Sequence, residues 1–117
     1  MSRRSRRGAG GLRLEISEGA RTARIALHGE FDIASADDAG RALQELLSRD
    51  LDALIIDLSG LEFMDSTGVK FVVDGREMAL ARGVELSLVH GGDPVERVLT
   101  VSGVTALFED VDIRESE

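Results

Sequence analysis

Apolar and polar residues alternate along the first part of the chain and then change to a helical spacing. The segments LRLEIS (12–17) and TARIALHGEF (22–31) both alternate with a period of two, and EGAR lies between them as a turn. Alternation of this kind is typical of strands with one buried face. We therefore predict an antiparallel hairpin over residues 12–31.

The period changes at Ser35, where a first helix is predicted. Apolar residues recur at three- and four-residue spacing over 36–47, which indicates an amphipathic helix with one buried stripe. Ser35 is expected to be the N-cap, with Asp38 three residues later completing a capping box. The next segment, ALIIDL (53–58), is almost continuously apolar, as in a central strand that is buried on both faces.

The second half of the chain repeats this alternation of helix and strand. A helix is predicted over 69–83, with Gly83 as its C′ residue, and a short strand over 84–90. A third helix follows, with Asp93 as N-cap and Pro94 in its first turn. The segment TALFEDVDI (105–113) is expected to supply a short edge strand.

The element order is therefore β-β-α-β-α-β-α-β. Strands that alternate with helices after an opening hairpin favour an α/β fold. We predict a single small domain over residues 12–117, with a mixed, mostly parallel sheet and helices packed against it.

Composition narrows the classes of function. Aromatic residues make up only 3% of the 117, and cysteine is absent. The core must therefore be aliphatic, and disulfides, zinc-thiolate sites and thiol catalysis are excluded. No apolar run approaches the length that spans a bilayer, and the N-terminus lacks the apolar region of a secretory signal. We expect a cytoplasmic protein with no membrane insertion.

Charge is divided unevenly between a basic tail and an acidic body. Four arginines lie within residues 1–11. From residue 8 onward the chain has 10 basic and 22 acidic residues, which gives this part a net charge of −12. A body this acidic repels nucleic acid, so no direct nucleic-acid partner is expected. The tail itself, residues 1–11, is predicted to be a disordered extension.

The stretch FMDSTG (63–68) carries three adjacent polar residues between a predicted strand and a predicted helix. Phe63 and Met64 are expected to be buried and to fix the turn against the core. Three interpretations compete for the polar residues: a helix cap, a catalytic nucleophile, and a hydroxyl placed to be modified.

Catalysis is the weakest of the three. A nucleophile elbow needs G-x-S-x-G, and Met64 stands where the first glycine should be. Nothing in the sequence brings His28 or His90 to Ser66. Phosphate-binding loops of either common type are absent, and the acids are scattered, so we predict no metal site, no cofactor and no enzymatic activity.

A helix cap explains one polar residue of this turn but not three. Gly68 is expected to leave the neighbouring backbone accessible. An exposed hydroxyl beside an acid and a glycine is what a kinase or a docking surface would use, so the cap and the modification remain together as interpretations.

Three motifs carry a resemblance to a known family. GEFD (29–32), LEFMDSTG (61–68) and the P-x-x-R-x-L-x-x-x-G run (94–103) together resemble anti-sigma factor antagonists, which consist of a STAS domain. The resemblance covers roughly residues 12–113. It implies a mixed sheet with helices packed against it, and a phosphorylatable serine at the start of the second helix.

By position, that serine is Ser66. The resemblance implies that the chain binds an anti-sigma factor, itself a serine kinase, and so releases a sigma factor. Phosphorylation would end that binding and a phosphatase would restore it. The implied partner-binding residues are Asp32, Asp65, Ser66, Thr67, Gly68 and Lys70.

Two features depart from the family pattern. Lys70 stands where members often keep a small residue, and it lies one helical turn after Ser66. Three roles stay open for it: pairing with a phosphate on Ser66, which would soften the switch, setting the choice of partner, or that of an ordinary solvated lysine. Relatives also often continue into a terminal helix beyond the point where this chain ends in DIRESE.

A second function stays open beside the first, that of a structural STAS subunit in a lipid-transport ABC complex or a stress-signalling particle. The oligomeric state is also open.

Overall fold

The computed structural model describes residues 2–7, 10–107 and 113–114. In chain order its elements are β1 (Ser2–Arg7), β2 (Leu12–Glu18), β3 (Thr22–Phe31), α1 (Ala36–Leu47), β4 (Ala53–Met64), α2 (Ser66–Ala81), β5 (Glu85–Val89), α3 (Asp93–Val101), α4 (Val104–Leu107) and β6 (Ile113–Arg114).

The six strands form one sheet in which the spatial order follows the order along the chain. The pairs β1–β2 and β2–β3 are antiparallel, whereas β3–β4, β4–β5 and β5–β6 are parallel. The predicted α/β fold with a mixed, mostly parallel sheet is confirmed. The described residues add one strand, β1, and one short helix, α4, to the predicted order.

The N-terminal segment differs from its prediction. Residues 2–7 form β1 along the outer edge of β2, where the sequence predicted a disordered extension. The open edge of β2 offers unpaired backbone groups, and pairing with them requires no apolar side chain. Electrostatic attraction also favours the pairing of β1 with β2, because the Arg4 guanidinium lies 3.6 Å from the Glu18 carboxylate.

The helix ends differ from their predictions by small amounts. Ser35 is the N-cap of α1, but its hydroxyl makes no capping bond and instead donates to the Glu30 carbonyl at 3.3 Å. The N-cap of α3 is Gly92, one residue before the predicted Asp93. Residues 104–107 form α4 where a strand was predicted, and residues 108–112 of that predicted strand lie outside the described part of the chain.

The core lies between the sheet and the helices. Where α2 crosses the sheet at Gly75, a methyl group would lie 3.1 Å from Leu43 of α1 and 3.2 Å from Ile56 of β4. The close approach shows that α1, α2 and β4 meet at this point. Buried Val95 and Leu99 bring α3 into the same aliphatic cluster.

The other face of the sheet is polar and borders a cavity of about 750 Å³. Asp57 of β4 is buried on this face, where its carboxylate accepts hydrogen bonds from the Ser59 hydroxyl at 2.6 Å and from Arg24. Burial alone would raise the pKa of Asp57, but the hydrogen bonds from Ser59 and Arg24 outweigh it and hold that pKa below its ordinary value.

Candidate functional site

The parallel strands β3 and β4 end side by side, so their carboxyl ends lie at the same edge of the sheet. Phe31 is paired with Met64 in the parallel register, and the Asp65 amide donates to the Phe31 carbonyl at 3.2 Å. Asp32 and Asp65 directly follow these paired residues, so the two turns leave the sheet together. Two motifs that are far apart in the sequence, GEFD and FMDSTG, therefore form one surface.

Asp65 is the N-cap of α2. Its carboxylate accepts a hydrogen bond from the Thr67 amide at 2.9 Å and another from the Thr67 hydroxyl at 2.5 Å. This is the usual way in which a cap satisfies amide groups that lack a partner within the helix. The capping role predicted for this turn is therefore filled by Asp65 together with Thr67.

Ser66 is the first residue of α2, and its side chain is exposed. Its hydroxyl makes no hydrogen bond with any residue that the structure describes. The neighbouring hydroxyl of Thr67 is only partly exposed and is held by Asp65. Of the two adjacent hydroxyl groups, the one on Ser66 is the one available to another molecule.

Gly68 lies beneath the turn. It is buried, and a methyl group at this position would collide with the side chain of Met64, which is itself buried. The expectation that Gly68 leaves accessible backbone is therefore corrected, because this glycine supports the turn from the core side. The rings of Phe31 and Phe71, 5.2 Å apart, further fix the end of β3 against α2.

Asp32 organises the turn after β3. Its carboxylate accepts hydrogen bonds from the Ala34 amide at 3.0 Å and the Ser35 hydroxyl at 3.3 Å. Gly29, which opens the GEFD motif, has a φ of 90°, and a side chain there would strike the Gly11 carbonyl. Part of the GEFD motif thus has a structural explanation independent of any partner.

Phe63 is exposed, which corrects the prediction that it is buried. Its side chain is 47% exposed and lines a groove of about 340 Å³ with Pro94, Arg97 and Val98 of α3. The pairing of β4 with β5 ends at Asp57, so the last residues of β4 extend beyond that neighbour. The apolar residue types alone gave no sign of this. The difference in length between the 12-residue β4 and the 5-residue β5 becomes visible only in the structure.

Ile33 is a second exposed apolar residue at this edge, 80% exposed in the turn that follows β3. Its exposure was not predicted from the sequence. An isoleucine between a turn-forming aspartate and the first residues of a helix was the available signal.

Lys70 lies one helical turn after Ser66. Its side chain is 75% exposed, and its ammonium group lies 2.6 Å from the carboxylate of Asp74, one further turn along α2. The hydrogen bond to Asp74 raises the pKa of Lys70, so this side chain is positively charged at neutral pH.

The two histidines lie near glutamates elsewhere in the fold. His28 lies 3.9 Å from Glu15 across the β2–β3 pair, and His90 lies 3.0 Å from Glu96 of α3. Neither forms a hydrogen bond with Ser66, so the geometry of a catalytic triad is not present in the described residues. Those same residues contain no cluster of metal-ligating side chains and no helix long and apolar enough to cross a membrane.

Comparison with known proteins gives concordant results. The family model for the STAS domain matches residues 13–117. An anti-sigma F factor antagonist from Paenibacillus polymyxa is 28% identical over 94 residues, which cover 80% of this chain and 78% of the relative. The anti-sigma-F factor antagonist RsfB from Mycobacterium tuberculosis is 29% identical over 84 residues, covering 72% of this chain and 68% of RsfB.

The fold is also similar to that of SpoIIAA, an anti-sigma factor antagonist and cell fate determinant of Bacillus. Its unphosphorylated form superimposes with a TM-score of 0.73 at 20% identity, covering 89% of this chain and 88% of SpoIIAA. Its phosphorylated form gives a TM-score of 0.68 at the same identity, covering 89% and 91%. At this level of identity the likeness establishes the fold.

Proposed function

This chain belongs to the STAS domain family, and on that premise we propose that it is an anti-sigma factor antagonist whose binding is switched off by phosphorylation of Ser66. It binds an anti-sigma factor through the surface around Ser66 and so releases a sigma factor. The anti-sigma factor is also the serine kinase, and a separate phosphatase restores binding. The chain acts in the cytoplasm and performs no catalysis itself.

One observation carries this proposal: Ser66 has an exposed hydroxyl that the fold does not use. The cap of α2 is formed by Asp65 and Thr67, and the turn is fixed from below by Gly68 and Met64. A residue that is rigidly placed but has no structural task is available for modification. The names of the relatives, and the existence of SpoIIAA in a phosphorylated form, support the same conclusion.

The position of Ser66 also explains how the fold would survive phosphorylation. In the transfer, the Ser66 hydroxyl loses its proton and its oxygen bonds to the γ-phosphorus of ATP, with release of ADP. The product carries a charge of about −1.5 to −2. At the first residue of α2 that charge lies at the positive end of the helix dipole, which stabilises it.

Phosphorylation of Ser66 is expected to lower the affinity for the partner instead. Burying the phosphate in an interface without a cation costs several kcal/mol, and even about 3 kcal/mol is roughly a hundredfold in affinity. Asp32 and Asp65 leave the sheet beside Ser66 and make the local charge more negative. The phosphate therefore acts on the interface and not on the stability of the domain.

The surface around Ser66 has a character that a partner would match. Acidic Asp32 and Asp65 follow the ends of β3 and β4, and the same two segments carry the exposed apolar side chains of Ile33 and Phe63. Exposed apolar side chains surrounded by polar groups are typical of protein interfaces. We expect the anti-sigma factor to present two apolar pockets for these side chains, without a cation opposite Ser66.

The modification is tested by the intact mass of the protein after incubation with ATP and its cognate anti-sigma factor. The expected result is the addition of one phosphate to the unaltered chain and to Thr67→Ala, and none to Ser66→Ala. The binding switch is tested with the same partner, which should bind Ser66→Ala and lose affinity for Ser66→Asp. Equal binding of these two variants, or a phosphate on Ser66→Ala, would refute the proposal.

A further inference from the structure

Ser66, Lys70 and Asp74 lie in one line along the exposed face of α2. They are spaced four residues apart, and residues at this spacing are neighbours on a helix surface. The line presents a hydroxyl, then an ammonium group, then a carboxylate. Lys70 therefore has two possible acidic partners once Ser66 is phosphorylated, one on each side.

In the unmodified chain Lys70 pairs with Asp74, at 2.6 Å. Both side chains are well exposed, 75% for Lys70 and 43% for Asp74, so water and salt screen their attraction. A lysine that precedes its acid along a helix is also the less favourable orientation of such a pair. This ion pair is therefore easily exchanged for another.

We propose that Lys70 is the counter-ion of the phosphate, exchanging its contact with Asp74 for one with phosphorylated Ser66. This inference rests on the proposed function, which makes Ser66 the modified residue. The phosphate carries more charge than a carboxylate, and it precedes Lys70 along the helix, which is the favourable orientation. The flexible stem and three N–H donors of lysine allow the change without movement of the backbone.

The other charged groups nearby do not occupy this position. Glu77 acts on Lys70 through its charge, from a position further along α2 than Asp74. Across the groove between the two helices, Asp37 and Arg41 of α1 line the same depression as Lys70. Arg41 lies 3.7 Å from Asp38 of its own helix. Arg41 therefore supplies a matched control, a cation of the same groove that is not aligned with Ser66.

The exchange changes what phosphorylation does. A phosphate held by Lys70 is partly neutralised, so it repels the partner less than a bare phosphate would. The ion pair between Lys70 and the phosphate in the modified chain is also stronger than the pair between Lys70 and Asp74 in the unmodified chain. Lys70 thereby softens the switch, and its removal is expected to widen the difference in affinity between the two states.

The test measures the phosphate directly. Phosphoserine is installed at position 66 during translation, and the second ionisation of the phosphate is followed by ³¹P NMR at low salt. A neighbouring ammonium group favours the dianion, so the phosphate pKa should be about 0.3 lower in the unaltered chain than in Lys70→Gln. Asp74→Asn, which frees Lys70, should keep the pKa low or lower it further, and Arg41→Gln should match the unaltered chain.

Two results would overturn the inference. One is a phosphate pKa in Lys70→Gln equal to that of the unaltered chain, and the other is a shift in Arg41→Gln as large as that in Lys70→Gln. All three substituted side chains are exposed or partly exposed, and thermal unfolding of each variant shows whether the fold is retained. Because the phosphoserine is installed without a kinase or a partner, failure here is distinguishable from failure of the proposed function.

Discussion

The three consecutive polar residues at the start of α2, Asp65, Ser66 and Thr67, have two different roles. Asp65 and Thr67 form the cap, which leaves the hydroxyl of Ser66 exposed and without a partner among the described residues. The sequence predicted that this turn holds more polar groups than a cap needs. The capping argument did not identify which hydroxyl is the surplus one, because Asp65, Ser66 and Thr67 are all typical capping residues. Ser66 was assigned only through the family resemblance.

This division predicts different costs for adjacent substitutions. Asp65→Ala should lower the free energy of unfolding by about 1 kcal/mol, because the Thr67 amide loses its acceptor. Ser66→Ala should change it by no more than about 0.5 kcal/mol, as expected for an exposed surface position. Urea denaturation measures both. A loss in Ser66→Ala as large as that in Asp65→Ala would show that the fold does use this hydroxyl.

Phe63 provides a test of the partner surface that leaves the modification site intact. Phe63→Ala should weaken binding of the anti-sigma factor about tenfold or more, because exposed aromatic residues at an interface often carry much of its energy. Leu80→Ala is the matched control, since Leu80 is 59% exposed but lies at the far end of α2. Isothermal titration calorimetry compares them, and equal affinities for the two variants would remove Phe63 from the interface.

The elements that a sequence pattern predicts well are those with a buried face. The alternation in β2 and β3 and the spacing in α1 follow from burial on one side, and these elements were found where predicted. Strand β1 has the sequence SRRSRR, in which no apolar residue signals a face, and its position depends on the open edge of β2. The exposure of Phe63 depends likewise on how far β5 extends, which is a property of a neighbour and not of β4 itself.

Two helical glycines test the packing of these elements. Gly68→Ala should destabilise the domain by about 1–3 kcal/mol, since the added methyl group displaces buried Met64. Gly40→Ala, in α1, should stabilise it by up to about 1 kcal/mol, because that position is open and alanine favours the helix. Opposite signs in denaturant melts are the expected outcome. Stabilisation by Gly68→Ala would mean that α2 does not rest on Met64 as described.

The molecule as a whole places its helices and its polar face on opposite sides of one sheet. The aliphatic cluster lies under the helices, and Asp57 is buried on the polar side with Arg24 and Ser59. The overall architecture was predictable because a continuous apolar run such as ALIIDL requires a central position. The aspartate within that run had no counterpart in the prediction, because its partners Arg24 and Ser59 are brought to it only by the fold.

The lowered pKa of Asp57 leads to a prediction of how the stability of the domain depends on pH. Its pKa is lower in the folded state than in the unfolded chain, so its contribution is present above a pH of about 4 and is lost as the pH falls through the folded value. The free energy of unfolding should therefore decrease below pH 4, with a smaller decrease in Asp57→Asn. Some decrease should remain in that variant, because a hydrogen bond from Arg21 also lowers the pKa of Asp52. Urea denaturation across pH 2.5–6 gives the comparison, and identical slopes for the two chains would contradict the assignment.

The central claim is that the surface around Ser66 binds an anti-sigma factor and that one phosphate ends this binding. The most direct measurement is the affinity of the cognate anti-sigma factor for the unmodified chain and for the chain with phosphoserine at position 66, by titration calorimetry at the same salt concentration. We predict that phosphorylation weakens binding by roughly a hundredfold while the thermal stability of the free chain is unchanged or higher. Equal affinity of the two forms, or a phosphorylated chain that has lost its fold, would contradict the account.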